Sequence, residues 1–210
     1  MRKILVLLLA SVLALPMAAQ TKLTAAQQQK VIDRISKSTA ALNSMQCNFT
    51  QTKSMKMLSK KMQSAGVMYY KKPNKLRWQY TSPYDYIFVM NGDKVNLKSA
   101  KSSQKIDVQR NKMFRQITSI ILSTITGGSL KSSADFNVEM YQTDKRVFAR
   151  LYPKKKELKQ IYSIIEIHFN QEQTMVSSVV MHEKTGDATT VSLQNVKINQ
   201  PVNEKVFTVD

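Results

Sequence analysis

The chain has 210 residues, with 32 lysines and arginines against 14 aspartates and glutamates, 42% apolar residues and one cysteine. It is long enough for one domain with a good core, and a lone cysteine excludes an internal disulfide. The formal charge of +18 favours anionic partners such as phospholipid head groups, acidic peptide segments or nucleic acid.

Residues 1–20 read as a cleaved secretory signal and 21–210 as a single domain. Arg2 and Lys3 form a positive start, Ile4 to Leu15 an apolar stretch, and Pro16-Met17-Ala18-Ala19-Gln20 a small-residue zone with cleavage near Ala19 or Gln20. As a helix the apolar stretch spans about 18 Å, too short for a bilayer core of about 30 Å. The product is expected to be soluble and exported, which disfavours nucleic acid as a partner. With no cysteine at the junction, no lipid anchor is expected. The remaining charge fits either an anionic partner or general solubility, since no basic run exceeds Lys154-Lys155-Lys156.

Thr24-Ala25-Ala26-Gln27 fits a capping box, and Val31, Ile32, Ile35 and Leu42 recur at helical spacing, so a helix is expected to about Asn43. Strand patterns follow. Met45 to Thr52 places Met45, Cys47 and Phe49 on one face, so Cys47 reads as a small buried residue. Gly66 to Tyr70 enters a corner at Pro73. In Lys72–Pro83, KPNKLRWQYTSP, Leu76, Trp78 and Tyr80 alternate with Lys75, Arg77 and Gln79 between turn residues. Tyr86 to Met90 leads to an Asn91-Gly92 turn and a strand carrying Val95 and Leu97. Ile106 and Val108 make a short strand.

Phe114, Ile117, Ile121 and Ile125, joined by Ile120, then recur at helical spacing, and Gly127-Gly128 stops the run as a C-cap would. Five further strands are read at Phe136–Met140, Val147–Tyr152, Ile161–Phe169, Met175–His182 and Thr189–Val196. A short piece ends at Phe207, and the count is about eleven strands.

The only histidines are His168 and His182. If Ile161–Phe169 and Thr174–Glu183 form a hairpin, His168 faces Met175 and His182 faces Ile161, about 23 Å apart at strand rise. No metal site or dyad is expected, and GxSxG, P-loop and GxGxxG motifs are absent. No enzyme and no cofactor are expected. Methionine is abundant and suits a variable apolar surface or ordinary core filling.

These elements, Phe49-Thr50-Gln51 after a helix, Gly66 before an aromatic strand, KKPNKLRWQYTSP, Asn91-Gly92, Gly186-Asp187 and the terminal Phe207, resemble the periplasmic outer-membrane lipoprotein carrier family, LolA. The resemblance covers essentially the whole mature chain. It implies a mainly β (α+β) fold, an unclosed, strongly curved antiparallel half-barrel of about eleven strands with an N-terminal helix and a lid helix over an apolar cavity. It also implies a monomeric carrier of acylated lipoproteins, loaded by an inner-membrane ABC transporter and unloaded to an outer-membrane acceptor, protein or lipid. The expected cavity residues are Met68, Leu76, Trp78, Tyr80, Phe88 and Met90. The expected lid is Met113, Phe114, Ile117, Ile120, Ile121 and Ile125. Many carriers have arginine before the proline at position 73, thought to bond to the lid; Lys72 stands there, keeping the charge without the planar fork. The alternatives are a relative of the same fold that binds other lipids or senses lipoproteins, and a hydrolase. An outer-membrane acceptor would require an acylated N-terminal cysteine.

Overall fold

The computed structural model describes residues 20–100, 102–107, 122, 130, 135–144 and 146–208. All of the expected signal at 1–20 except Gln20, and all six expected lid residues (Met113, Phe114, Ile117, Ile120, Ile121, Ile125), lie outside them. Helix α1 (Ala25–Ala40) begins at the capping box, with Thr24 Oγ1 accepting from the Gln27 amide and Gln27 Oε1 accepting from the Thr24 amide. It stops three residues before Asn43, because Leu42 turns into the core and strand pairing starts at Ser44.

The first group of strands is β1 (Thr21–Lys22), β2 (Ser44–Met55), β3 (Lys60–Lys71), β4 (Lys75–Ser82), β5 (Tyr86–Asn91), β6 (Lys94–Ser99) and β7 (Ser103–Asp107). The second is β8 (Phe136–Gln142), β9 (Val147–Pro153), β10 (Tyr162–Phe169), β11 (Val176–Glu183) and β12 (Ala188–Ile198). All twelve form one antiparallel sheet in the order β1-β8-β9-β10-β11-β12-β2-β3-β4-β5-β6-β7, with β1 and β7 at its edges. The expected unclosed antiparallel sheet with an N-terminal helix is therefore present, with the two-residue β1 as the additional strand; the expected lid helix lies outside the described residues. The turn after β5 is Gly92-Asp93, with Gly92 at φ +63°, one residue later than the sequence pattern suggests.

One strand boundary differs, and the final short piece ends at Phe207 as expected. Lys156–Ile161 forms a short helix, α2, that buries Leu158 and leaves Ile161 half exposed, so β10 starts at Tyr162. The final piece is a 3-10 helix (Glu204–Phe207) capped by Asn203. Its Glu204 is bonded by Lys71 and Lys75, each at 2.6 Å, which holds the carboxyl down to about 2. Arg77 donates to the Val206 and Thr208 carbonyls at 3.0 and 3.3 Å. The C-terminus is thus strapped to the outer face of β3 and β4.

Period-2 alternation continues from β8 round to β6, interrupted by bulges at Ser163, Ser177, Asn195-Val196 and Thr81. Met140 faces Ala149, Ile167 faces Val179, Val191 leads on to Leu193 opposite Phe49, and Met68 faces Trp78 opposite Phe88. One face of the sheet is consequently apolar over most of its area, giving way to Gln51, Thr189 and Lys53 toward the β2–β3 turn. It carries two core clusters, one around Ile35, Met140, Ile167 and Phe169, the other around Phe49, Met68, Leu76 and Val95. Helix α1 bridges them, with Val31 and Ile35 in the first, while Leu42 just beyond it joins the second.

Gly66 pairs with Phe49 where β3 shifts register against β4. A Cβ there would stand 1.9 Å from the Gln79 carbonyl oxygen and 2.6 Å from the Phe49 ring, which itself rests 4.2 Å from Trp78. Glycine is needed for that close approach. Gly66→Ala is expected to destabilise by about 1–3 kcal/mol through overpacking, measured by urea unfolding; an unchanged midpoint would show that β4 yields freely.

Candidate functional site

Between the two clusters lies a cavity of about 290 Å³, close to the lower end of ligand-pocket sizes (about 300–1,000 Å³). Its floor comes from four strands of the apolar face: Met45 of β2, Met68 of β3, Trp78 of β4, and Val191 with Leu193 of β12. Val176, Val179 and Met181 of β11 form one wall, and Ser38 to Leu42 at the end of α1 form the roof. Among the described residues the lining contains no charged side chain; its polar members are Ser38, Thr39, Thr174 and Asn199. These described residues offer apolar contact, and none of them is a general acid, base or nucleophile of shifted acidity.

Polar contacts hold the roof at its margins. Asn199 accepts from the Asn43 amide at 2.8 Å and donates to the Ala41 carbonyl at 3.0 Å. Lys72 Nζ donates to the Ala40 carbonyl at 3.4 Å, and the Lys72 amide donates to Asn43. Arg34 on α1 donates to Gln173 at 2.8 Å, in the turn beside Thr174 and Met175. A lysine at a helix C-terminus is also favoured by the helix dipole.

The six expected cavity residues all belong to or pack on the second cluster, at different depths. Met68 and Trp78 line the cavity. Leu76 and Met90 pair with each other, fully buried, in the packed wall beside it. Tyr80 and Phe88 are partly buried against the same cluster, with the Tyr80 hydroxyl donating to Gln51 at 2.9 Å. Arg77 faces outward, as alternation requires. Leu122 packs partly buried on the second cluster and Leu130 is buried in the first. Lys72 meets α1; the lid residues it was expected to hold lie outside the described residues.

Several lining residues were not singled out by the sequence reading. Val179, Met181, Val191 and Leu193 alternate as any core strand does, a bulge at Ser177 turns Val176 to the same side, and only the pairing of β12 with β2 brings them opposite Trp78. Cys47 is buried, which pushes its thiol up to about 12.

The expected separation of the histidines fails. With Ile161 in α2 and a register shift after Tyr162, His168 pairs with Ser178 and His182 with Ile164. Both imidazoles then face Glu166, with Nε2 at 3.4 and 3.9 Å from Oε2. The His168 contact, followed by that of Arg150 at 2.8 Å, holds the Glu166 carboxyl down to about 2. Arg150 also lies over the Tyr141 and Phe148 rings. This cluster occupies the outer face, on the far side of the sheet from the cavity. The described residues contain no group of three His, Cys, Asp or Glu placed to hold a metal ion.

Comparison with known proteins agrees with this architecture. The chain is 22% identical to an outer-membrane lipoprotein carrier protein of Chromohalobacter salexigens, over 97% of this chain and 91% of that one. It is 26% identical to the carrier of Legionella pneumophila, over 80% and 79%. Among solved structures, an uncharacterized conserved protein of Thermus thermophilus superposes with a TM-score of 0.52 at 9% identity, covering 87% of this chain and 93% of that one. The MucA/MucB complex of Pseudomonas aeruginosa gives 0.52 at 11% identity, over 87% and 61%. The family described as outer membrane lipoprotein carrier protein LolA matches residues 40–210, the whole sheet apart from β1, and the chain belongs to that family.

Proposed function

We propose that the protein carries lipoproteins by taking their acyl chains into the cavity between α1 and the apolar face, and ferries them through the periplasm from the inner to the outer membrane. The observation that carries this reading is the cavity itself, walled by methionine, valine, leucine and tryptophan with no charged group among the described residues. Each acyl CH₂ removed from water gains about 0.8 kcal/mol, so exposed chains cannot cross an aqueous compartment unaccompanied. Methionines 45, 68, 175 and 181 supply a wall that adapts to chains of different shape. A cavity of about 290 Å³ must widen for more than one chain, and α1 is the described element whose margins are held by a few hydrogen bonds. Loading would come from an inner-membrane ABC transporter and unloading would go to an outer-membrane acceptor.

Trp78 is the only tryptophan and lines the cavity, so it reports occupancy. A lipopeptide with brominated acyl chains is expected to quench its fluorescence, while the same peptide without acyl chains is not. Met181→Ser should weaken binding by one buried side chain's worth, about 1.5–3 kcal/mol, or roughly ten- to a hundredfold. Lipopeptide that leaves Trp78 emission unchanged would reject the reading.

Lys72 is proposed to set the balance between closed and open roof through its contact with Ala40. Lys72→Leu is then expected to accept lipopeptide and to pass it to acceptor vesicles at an altered rate. Transfer kinetics equal to the parent's would reduce Lys72 to a solvated strand-end lysine.

A further inference from the structure

The two ends of the sheet differ in what they expose. Because neighbouring strands alternate in direction, the β2–β3, β4–β5 and β11–β12 turns and the start of β10 share one end. Five of the six large apolar side chains that stand exposed among the described residues lie there: Met57, Leu58, Met62, Tyr84 and Ile161; Ile198 lies at the other end. Met57 and Leu58 are 91% and 67% exposed at the tip of the β2–β3 hairpin.

That hairpin projects. β4 pairs with β3 only from Ala65 onward, so Lys60–Ser64, about 17 Å of strand, overhangs on that side. The overhang is braced from the other side, where Lys53 pairs with Glu183 at 3.2 Å and the Lys56 amide donates to Asp187 at 3.0 Å. The tip is a four-residue turn, Lys56–Ser59, closed by a Ser59-to-Lys56 backbone bond. Turn chemistry favours asparagine, aspartate or glycine at such positions; nothing local calls for Met-Leu. Exposed Lys56, Lys60 and Lys61 surround the apolar pair, and no acidic residue occurs from Ser44 to Lys71.

We infer that this hairpin docks the protein on an anionic phospholipid bilayer, Met57 and Leu58 entering the headgroup–acyl boundary while Lys56, Lys60 and Lys61 meet lipid phosphates. The composition favours lipid over a protein partner. Protein interface cores are enriched in methionine, arginine and aromatics but depleted of lysine, so the discriminating feature is the ring of three lysines, which suits a negatively charged lipid surface. The cavity lies toward the opposite end, so docking is a tether separate from cargo binding and independent of the carrier reading.

Vesicle flotation with the full mature chain, without cargo, tests it. Vesicles of phosphatidylcholine containing phosphatidylglycerol are compared with phosphatidylcholine alone. The protein should float with the anionic vesicles in low salt and poorly with neutral ones. Met57→Ser combined with Leu58→Ser should lower binding at least tenfold with unchanged circular dichroism and thermal midpoint, and Lys56→Gln with Lys60→Gln and Lys61→Gln should remove the preference for anionic lipid. No flotation of the parent would overturn the inference. So would undiminished binding of the serine variant, which would assign it to general charge. Self-association that the serine variant abolishes, without vesicle binding, would make the tip a protein contact and overturn it too.

Discussion

The molecule depends on the pairing of β12 with β2. That ladder runs from Ala188 opposite Ser54 to Ile198 opposite Met45 and joins strands that lie far apart in sequence. Without it the chain is two smaller sheets, each with an exposed apolar face. With it, Leu193 sits opposite Phe49, and the two core clusters face one another across a gap. Register decides the outcome, since a one-residue slip would send Val191 and Leu193 to the outer face and polar neighbours inward. The cavity lies where the side chains of the two clusters, among the described residues, do not meet.

Covering that centre falls partly to α1, and its attachment explains how one element can be both stable and movable. Its apolar contacts, through Val31 and Ile35, lie in the first cluster, while its end reaches over the cavity. Leu42 just beyond the end is buried in the second cluster; the other ties are hydrogen bonds from Lys72 and Asn199 at the end and from Arg34 farther back, each contributing modestly and each replaceable by water. The C-terminal strap works differently. Glu204 between two lysines and Arg77 on two carbonyls fix the outer face of β3 and β4, the strands that supply Met68 and Trp78.

Much of the sheet was legible in the sequence because its strands are half-buried and alternate cleanly. Leu76, Trp78 and Arg77 are assigned to their faces by period alone, and Thr24 with Gln27 starts α1 by hydrogen bonding that any local reading can find. What local reading cannot find is pairing at a distance. The wall from Val179, Met181, Val191 and Leu193 becomes part of a site only through the β12–β2 ladder. The histidines show the same gap. The polar, lysine-rich segment before Tyr162 forms α2 instead of extending the strand, the hairpin register shifts, and Glu166 comes between His168 and His182. The apolar tip at Met57-Leu58 is plain in the sequence as letters, but only the overhang of β3 makes it an exposed feature.

The central claim is that acyl chains occupy the space between the two clusters, beneath α1. A lipopeptide carrying a photoactivatable group at the end of its acyl chain, crosslinked to the protein and mapped by mass spectrometry, tests this most directly. Labels on Met68, Trp78, Met175 to Val179, Met181, Val191 or Leu193 are predicted, with further labels at Ala41 to Met45. Labels confined to the outer face around Phe148 and Glu166, or to the Met57–Met62 tip, would contradict it.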